Sequence, residues 1–159
     1  MQSEDTVSIE SASPADIPEI IALQRLAFKK EAMKTGDWGM PAQAQTVGQL
    51  TAEFPSLKLL VVRENGRIIA TGRAKCEDGT VHMGRLAVVP EKQGRGLGSR
   101  LIMALEDSFP DVCRFEIFTS DVSLANIRLY ERLGYREYAR KKAPTIATLV
   151  YMEKRRKTV

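Results

Sequence analysis

Arg85-Leu86-Ala87-Val88-Val89-Pro90-Glu91-Lys92-Gln93-Gly94-Arg95-Gly96-Leu97-Gly98-Ser99-Arg100-Leu101 is the stretch on which the reading of this chain turns. It opens on an apolar strand that Pro90 closes. It ends in Leu101, Ile102 and Leu105, which recur at helical spacing. Between them, glycines at 94, 96 and 98 take three side chains out of a strand-to-helix turn, so backbone N–H groups can converge there. A helix starting at about Ser99 adds free N–H groups and the positive end of its dipole, which favour an anion. Arg95 and Arg100 add positive charge. A phosphate or pyrophosphate is therefore expected at Gln93–Gly98. A P-loop would end Gly-Lys-Ser/Thr, whereas Ser99 follows Gly98 directly. A Rossmann fingerprint counted from Gly94 would need glycine or alanine at 99 and would follow the first strand of its fold. A plain glycine-rich turn is the third reading of the loop alone.

Upstream, Thr80 to Val89 reads as one long strand containing Gly84. The turns Glu64-Asn65-Gly66 and Glu77-Asp78-Gly79 divide it from the runs Leu57–Val62 and Arg67–Lys75. Asn-Gly between apolar runs is a hairpin signal, so residues 57–89 read as a three-strand antiparallel meander. Earlier still, Val7–Glu10 alternates as a first strand. Ser13 caps a helix with Pro14 at its first position and Asp16 three residues on. Ile17, Ile20, Ile21, Leu23, Leu26, Ala27 and Phe28 carry that helix to about Met33. Thr35 to Thr46 holds Gly36, Asp37, Trp38, Gly39 and Pro41 and reads as a loop. A shorter helix covers Val47–Phe54, with Pro55 at its end.

Downstream, the helix after the glycine loop reaches Ser108. Arg114–Thr119 is a strand and Leu124–Leu133 a helix closed by Gly134. Tyr135–Arg140 and Thr145–Glu153 are two last strands joined at Ala143-Pro144. The long strand, the loop, its helix and Arg114–Thr119 form a strand–helix–strand unit, which makes two strands locally parallel. The expectation is one α/β (α+β) domain with a mixed sheet and helices on its faces.

Composition agrees with a folded domain: 159 residues, 43% hydrophobic and 28% charged. Net charge is +4, part of it in Lys154-Arg155-Arg156-Lys157, read as a solvated basic end. No aromatic residues interleave with that run, so nucleic acid is not an expected partner. Cys76 and Cys113 form no C-x-x-C and His82 is the only histidine, so no metal is expected. Two distant cysteines fit a reducing compartment. Met1 to Asp5 has Glu4 and Asp5 and no apolar run, and no segment approaches a membrane span. A soluble, cytoplasmic protein with no membrane contact is expected.

The Arg85–Leu101 stretch closely resembles the central motif of the GNAT superfamily of acetyl-CoA-dependent N-acetyltransferases. Its Gln/Arg-x-x-Gly-x-Gly/Ala signature is met by Gln93, Gly96 and Gly98. Ser123 through Asn126 to Leu129-Tyr130-Glu131-Arg132-Leu133-Gly134-Tyr135 is similar to that family's later asparagine and L-Y-E-x-x-G-[FY] segment. The element order matches over nearly the whole chain. The resemblance implies a mostly antiparallel seven-stranded sheet flanked by about four helices.

The resemblance further implies that acetyl-CoA, and no metal, is the co-substrate. It would lie in a V-shaped gap between the fourth and fifth strands, with an amine as acceptor. Its pyrophosphate would sit on Gln93, Gly94, Arg95, Gly96, Leu97 and Gly98, with Ser99 near. Its pantetheine would pair with backbone at Leu86, Ala87 and Val88. Tyr130 matches the general acid, and Asn126 the asparagine that contacts the cofactor or a water. His82 is a candidate base, since an imidazole can take a proton near neutral pH; Glu31 and Asp37 are other candidates, and water is the alternative. Glu31, Asp37 and Trp38 fall on the acceptor side, and the two carboxylates hint at a cationic acceptor. A homodimer through the late strands is an analogy with the family. The alternative to an enzyme is a non-catalytic acyl-CoA-binding sensor or interaction module.

Overall fold

A computed structural model describes residues 7–143 and 147–157. The reading of Met1–Asp5, and residues 144–146 of the last turn and strand, lie outside the described residues. The strands are β1 (Val7–Ser11), β2 (Lys58–Glu64), β3 (Arg67–Glu77), β4 (Thr80–Val88), β5 (Arg114–Ser120), β6 (Arg136–Lys142) and β7 (Thr148–Arg155). They form a single sheet in the order β1-β2-β3-β4-β5-β7-β6. Every neighbouring pair is antiparallel except β4–β5. Asn65, Gly66, Asp78 and Gly79 all have positive φ, the conformation that two-residue hairpin turns require.

Leu59–Val62 and Ile68–Ala74 are buried without interruption. Successive strand residues point to opposite faces, so β2 and β3 are covered on both sides. The helices packed on these central strands are α1 (Ile17–Ala27), lying against β3 and β4, and α5 (Leu97–Asp107), lying against β2, β3 and β4. Leu101, Ile102 and Leu105 of α5 are fully buried and form the stripe that faces the sheet.

The four expected helices are present, with two additions. The first breaks at Phe28 (φ −95°, ψ 5°), giving α1 and a separate α2 (Lys29–Thr35). A short turn of helix, α3 (Pro41–Ala44), stands inside the stretch expected to be loop. The other two are α4 (Val47–Glu53), capped by Thr46 and Gln49, and α6 (Leu124–Arg132). Asp16 performs the capping role: its carboxylate accepts the Ser13 N–H at 2.8 Å and an Arg63 N–H at 2.6 Å.

The basic run at 154–157 is solvated only in part: Arg155 and Lys157 are exposed, whereas Lys154 and Arg156 are engaged. Lys154 Nζ donates to Glu106 at 3.1 Å, and the Tyr135 hydroxyl donates to the same buried carboxylate at 2.6 Å. Arg156 donates to the carbonyls of Glu106, Phe109 and Val112 and lies over the Phe115 ring. These contacts tie β7 to the C-terminal end of α5. Among the described residues no helix is long and apolar enough to cross a membrane.

Candidate active site

Thr80 to Met83 pair with Arg114 to Ile117, and the parallel ladder stops there. Just beyond, β4 carries a bulge. Ala87 lies opposite Thr71 and Gly84 opposite Arg73, so Arg85 and Leu86 together face Gly72. Arg85 takes φ 52°, rare for a residue with a side chain. A bulge bends and twists its strand, and here β4 parts from β5. The parting opens a cavity of about 670 Å³. Leu86, Ala87 and Val88 line it on one side and Asn126, Leu129 and Tyr130 of α6 on the other.

The glycine loop closes the end of this cavity. A 3-10 turn, Pro90–Lys92, leads to Gln93, whose side-chain amide donates to the Val88 carbonyl at 3.1 Å. Gly96 has φ 80° and immediately precedes α5, a conformation that glycine adopts without cost. Gly98 serves a different purpose. A Cβ there would lie 3.2 Å from Leu129 Cδ2, so the missing side chain lets α5 approach α6. The helix starts at Leu97, earlier than its apolar spacing indicates, which places Gly98 and Ser99 in its first turn. The N–H groups of Gly94 to Ser99 have no acceptor among the described residues.

Gln93, Gly94, Gly96, Leu97, Gly98 and Ser99 all line the cavity. Arg95 does not, because it stands exposed between two left-handed glycines. The positive lining comes instead from Lys30, Lys34 and Arg132, and from Lys92, which also pairs with Glu64 at 2.7 Å. Free N–H donors at a helix start, nearby cations and a strand unpaired on one side suit a ligand with phosphates at one end and an amide-bearing chain at the other. Coenzyme A has that chemistry.

Tyr130 is 4% exposed and lines both this cavity and a second one of about 420 Å³. Its ring meets Tyr135 edge-on, centroids 6.4 Å apart. Its hydroxyl has no hydrogen-bond partner among the described residues. Burial, and then the Glu31 carboxylate, push the phenol well above its ordinary range, so it holds its proton. Glu31, on α2, accepts the Ser123 hydroxyl at 2.6 Å and so links α2 to the start of α6. Asn126 lies one turn before Tyr130. Phe28, Glu31, Leu86, Asn126 and Tyr130 line both cavities, which makes the Tyr130 region their junction.

The second cavity carries Asp37 and His82 in its lining. The His82 ring is exposed and its Nδ1 lies 3.1 Å from Glu116, which also accepts bonds from Arg114 and Tyr138. Trp38, expected to wall the acceptor side, does not line either cavity. It sits 53% exposed at the turn between α2 and α3. Arg73 and Arg85 are present instead, held by Gln45 and Glu53.

Residues 21–135 match the profile of the acetyltransferase (GNAT) family. The chain belongs to that family. Among curated proteins, this GNAT chain is 25% identical over 135 residues to an uncharacterised N-acetyltransferase of Methanocaldococcus jannaschii, covering 81% of this chain and 78% of that one. It is 29% identical over 150 residues to mycothiol acetyltransferase of Tsukamurella paurometabola, covering 86% of this chain and half (50%) of the relative's length. Among solved structures, the PaiA N-acetyltransferase of Thermoplasma acidophilum, in complex with coenzyme A, superposes with a TM-score of 0.80. That match covers 94% of this chain and 99% of the other at 15% identity, and it shows a shared fold.

Lys30, Lys34 and Arg132 carry no local sequence signal, since a surface cation on a helix reads the same wherever it points. Arg73 does carry one. It interrupts the apolar run Ile68–Ala74 of a strand covered on both faces, and a buried cation demands a partner.

Proposed function

We propose that this GNAT chain transfers an acetyl group from acetyl-CoA to a primary amine by direct attack, with Tyr130 as general acid. The observation that carries the reading is Tyr130 itself: a buried, protonated phenol, unpartnered among the described residues, where two cavities meet. One of those cavities ends in the free N–H groups of the glycine loop. Acetyl-CoA supplies the activated thioester.

The N–H groups of Gly94 to Ser99, with Lys92 and Arg132 near, hold the pyrophosphate. The backbone of Leu86 to Val88, without a β5 partner, holds the pantetheine chain, and a backbone N–H at Leu86 or Val88 polarises the acyl carbonyl. Asn126 holds the acyl end from the α6 side. Tyr130 Oη keeps its proton until the C–S bond breaks and then gives it to the departing sulfur, and the proton lost by the newly acylated nitrogen restores the phenol. Glu31 and Asp37 draw the acceptor's ammonium into the second cavity. His82, exposed and backed by Glu116, takes the ammonium proton through solvent so that the amine reacts neutral.

Saturating acetyl-CoA tests the binding half of this reading. At a hundred times its Kd it contributes about 2.7 kcal/mol, which should raise the melting temperature by about 5–10 °C. Gly96→Glu adds left-handed strain and sets a carboxylate among the free N–H groups, and it should abolish the shift. Gly96→Ala adds the strain alone and should retain most of it. A wild-type protein whose melting temperature ignores acetyl-CoA sinks the proposal.

A further inference from the structure

The charges lining the second cavity balance in number, Glu31, Asp37 and Glu53 against Arg73, Lys75 and Arg85, but not in place, because two arginines share one carboxylate. Arg73 and Arg85 come from adjacent strands, and both line it. Gln45 Oε1 accepts Nη1 of Arg85 at 2.5 Å and Nη2 of Arg73 at 3.0 Å, so one neutral amide holds two guanidinium groups side by side. Glu53 is the carboxylate that meets them. It accepts Arg73 Nη1 at 3.0 Å and Gln45 Nε2 at 2.6 Å. Arg73 is 7% exposed, and its Nε is buried with no partner among the described residues. Arg85 makes no ion pair among those residues, and its Nε and Nη2 have no acceptor.

Two cations against one carboxylate leave one positive charge in a place partly withdrawn from water. Such a charge is unfavourable unless something meets it. Burial, then repulsion from Arg73, lowers Arg85 to about 10, so it remains charged at neutral pH at a cost. The free Nε–Nη2 side of Arg85 is a fork that suits a bidentate carboxylate. A singly charged anion would cancel the excess, whereas a phosphate dianion would overshoot it. Glu31 and Asp37 line the same cavity but pair with neither arginine, and Glu31 stands at the Tyr130 junction. The cavity is thus charged for a ligand with two opposite ends.

We infer that the acceptor is a primary amine that also carries a carboxylate. Its ammonium is drawn toward Glu31 beside Tyr130, and its carboxylate is taken by the Arg85 fork with Arg73 behind it. This deepens the acetyl-transfer reading and rests on it. It also replaces the purely cationic acceptor that Glu31 and Asp37 alone would suggest.

The test compares glycine, alanine, β-alanine and γ-aminobutyrate, each with its own amide, and adds O-phosphoethanolamine. Two readouts are taken for every compound: kcat/KM from CoA release, and the melting-temperature shift it causes. A charge-assisted fork should favour at least one acid over its amide by about ten- to hundredfold. Arg85→Gln should bring that pair to within about threefold, and Arg85→Lys should keep part of the preference. The inference is overturned if every acid behaves like its amide, if O-phosphoethanolamine is preferred, or if the discrimination survives Arg85→Gln. Amines acetylated without any preference for acids leave the acetyl-transfer reading intact and remove only this one. If no compound is acetylated and acetyl-CoA gives no stabilisation, the broader reading falls. The melting shifts still decide in that case whether Arg85 takes the carboxylate.

Discussion

Replacing Tyr130 by phenylalanine should separate catalysis from folding and from cofactor binding, because the proposed acid role uses the hydroxyl and the other two do not. The ring is 4% exposed and keeps its edge-on contact with Tyr135 after the change. The hydroxyl has no partner among the described residues, so no buried donor or acceptor is orphaned. Tyr130 lines two cavities and its hydroxyl is not held by the fold, so Tyr130→Phe should leave stability within about 1 kcal/mol of the wild type. Catalysis should respond differently. Loss of a positioned general acid lowers turnover by about 10²- to 10⁴-fold, or roughly 2.7–5.5 kcal/mol in the barrier. Melting curves with and without acetyl-CoA report the first two properties, and single-turnover CoA release reports the third. Burial and Glu31 hold the phenol above its ordinary range. The wild-type rate should therefore rise with pH as the acceptor amine loses its proton, with no decline from Tyr130 ionisation below about pH 10. A kcat within threefold of wild type would refute the acid role. A melting temperature lowered by several degrees would show that the hydroxyl is structural instead.

Two further substitutions probe the scaffold. In Gly72→Ala the new Cβ would lie 2.7 Å from Leu86 Cδ2 and 3.4 Å from Leu105 Cδ1. Leu86 must shift, at about 1–3 kcal/mol. Because Leu86 lines both cavities, KM for acetyl-CoA should rise with the loss of stability; an unchanged KM would argue against Leu86 as cofactor lining. In Asp16→Asn the loss is pH-dependent. The Arg63 hydrogen bond, outweighing burial, holds the Asp16 carboxyl below its ordinary value. The stability it contributes is therefore present above the unfolded value, near 3.9, and is lost as pH falls through the lower folded value. Urea unfolding should show a deficit of about 1–3 kcal/mol at pH 7 that shrinks toward pH 3, and an equal deficit at both would exclude the ionised carboxylate as its source.

What was legible in the sequence was local. Asn65-Gly66 and Asp78-Gly79 fixed the meander because two-residue turns accept few residue types. Gln93 to Gly98 marked the strand-to-helix turn whose N–H groups from Gly94 onward are left without acceptors among the described residues, because three alternate glycines leave no side chains to fill it. The break at Phe28 carried no sign, for neither glycine nor proline stands near it and Lys29–Thr35 is helical on either reading. The α3 turn was hidden by Pro41, which can begin a helix as readily as interrupt a loop. The arginine pair was the deepest omission. Gln45, Glu53, Arg73 and Arg85 are spread along the chain, and only the bulge at Arg85 and the pairing of β3 with β4 bring them together. Trp38 and Arg95 show the reverse error: each has suitable chemistry on a suitable segment, yet the backbone turns each outward.

The short ladder between Thr80–Met83 and Arg114–Ile117 has a consequence for the protein at rest. Sheets usually confine their open edges to the rim, where bulges and charges guard them. Here two open edges face each other in the middle of seven strands, at the place where an extended ligand chain can act as the missing strand. A molecule that binds only the folded chain shifts the folding balance by mass action. Acetyl-CoA held in that gap, as proposed above, would complete the sheet as well as supply the reaction, and its supply would bear on how long the folded protein lasts.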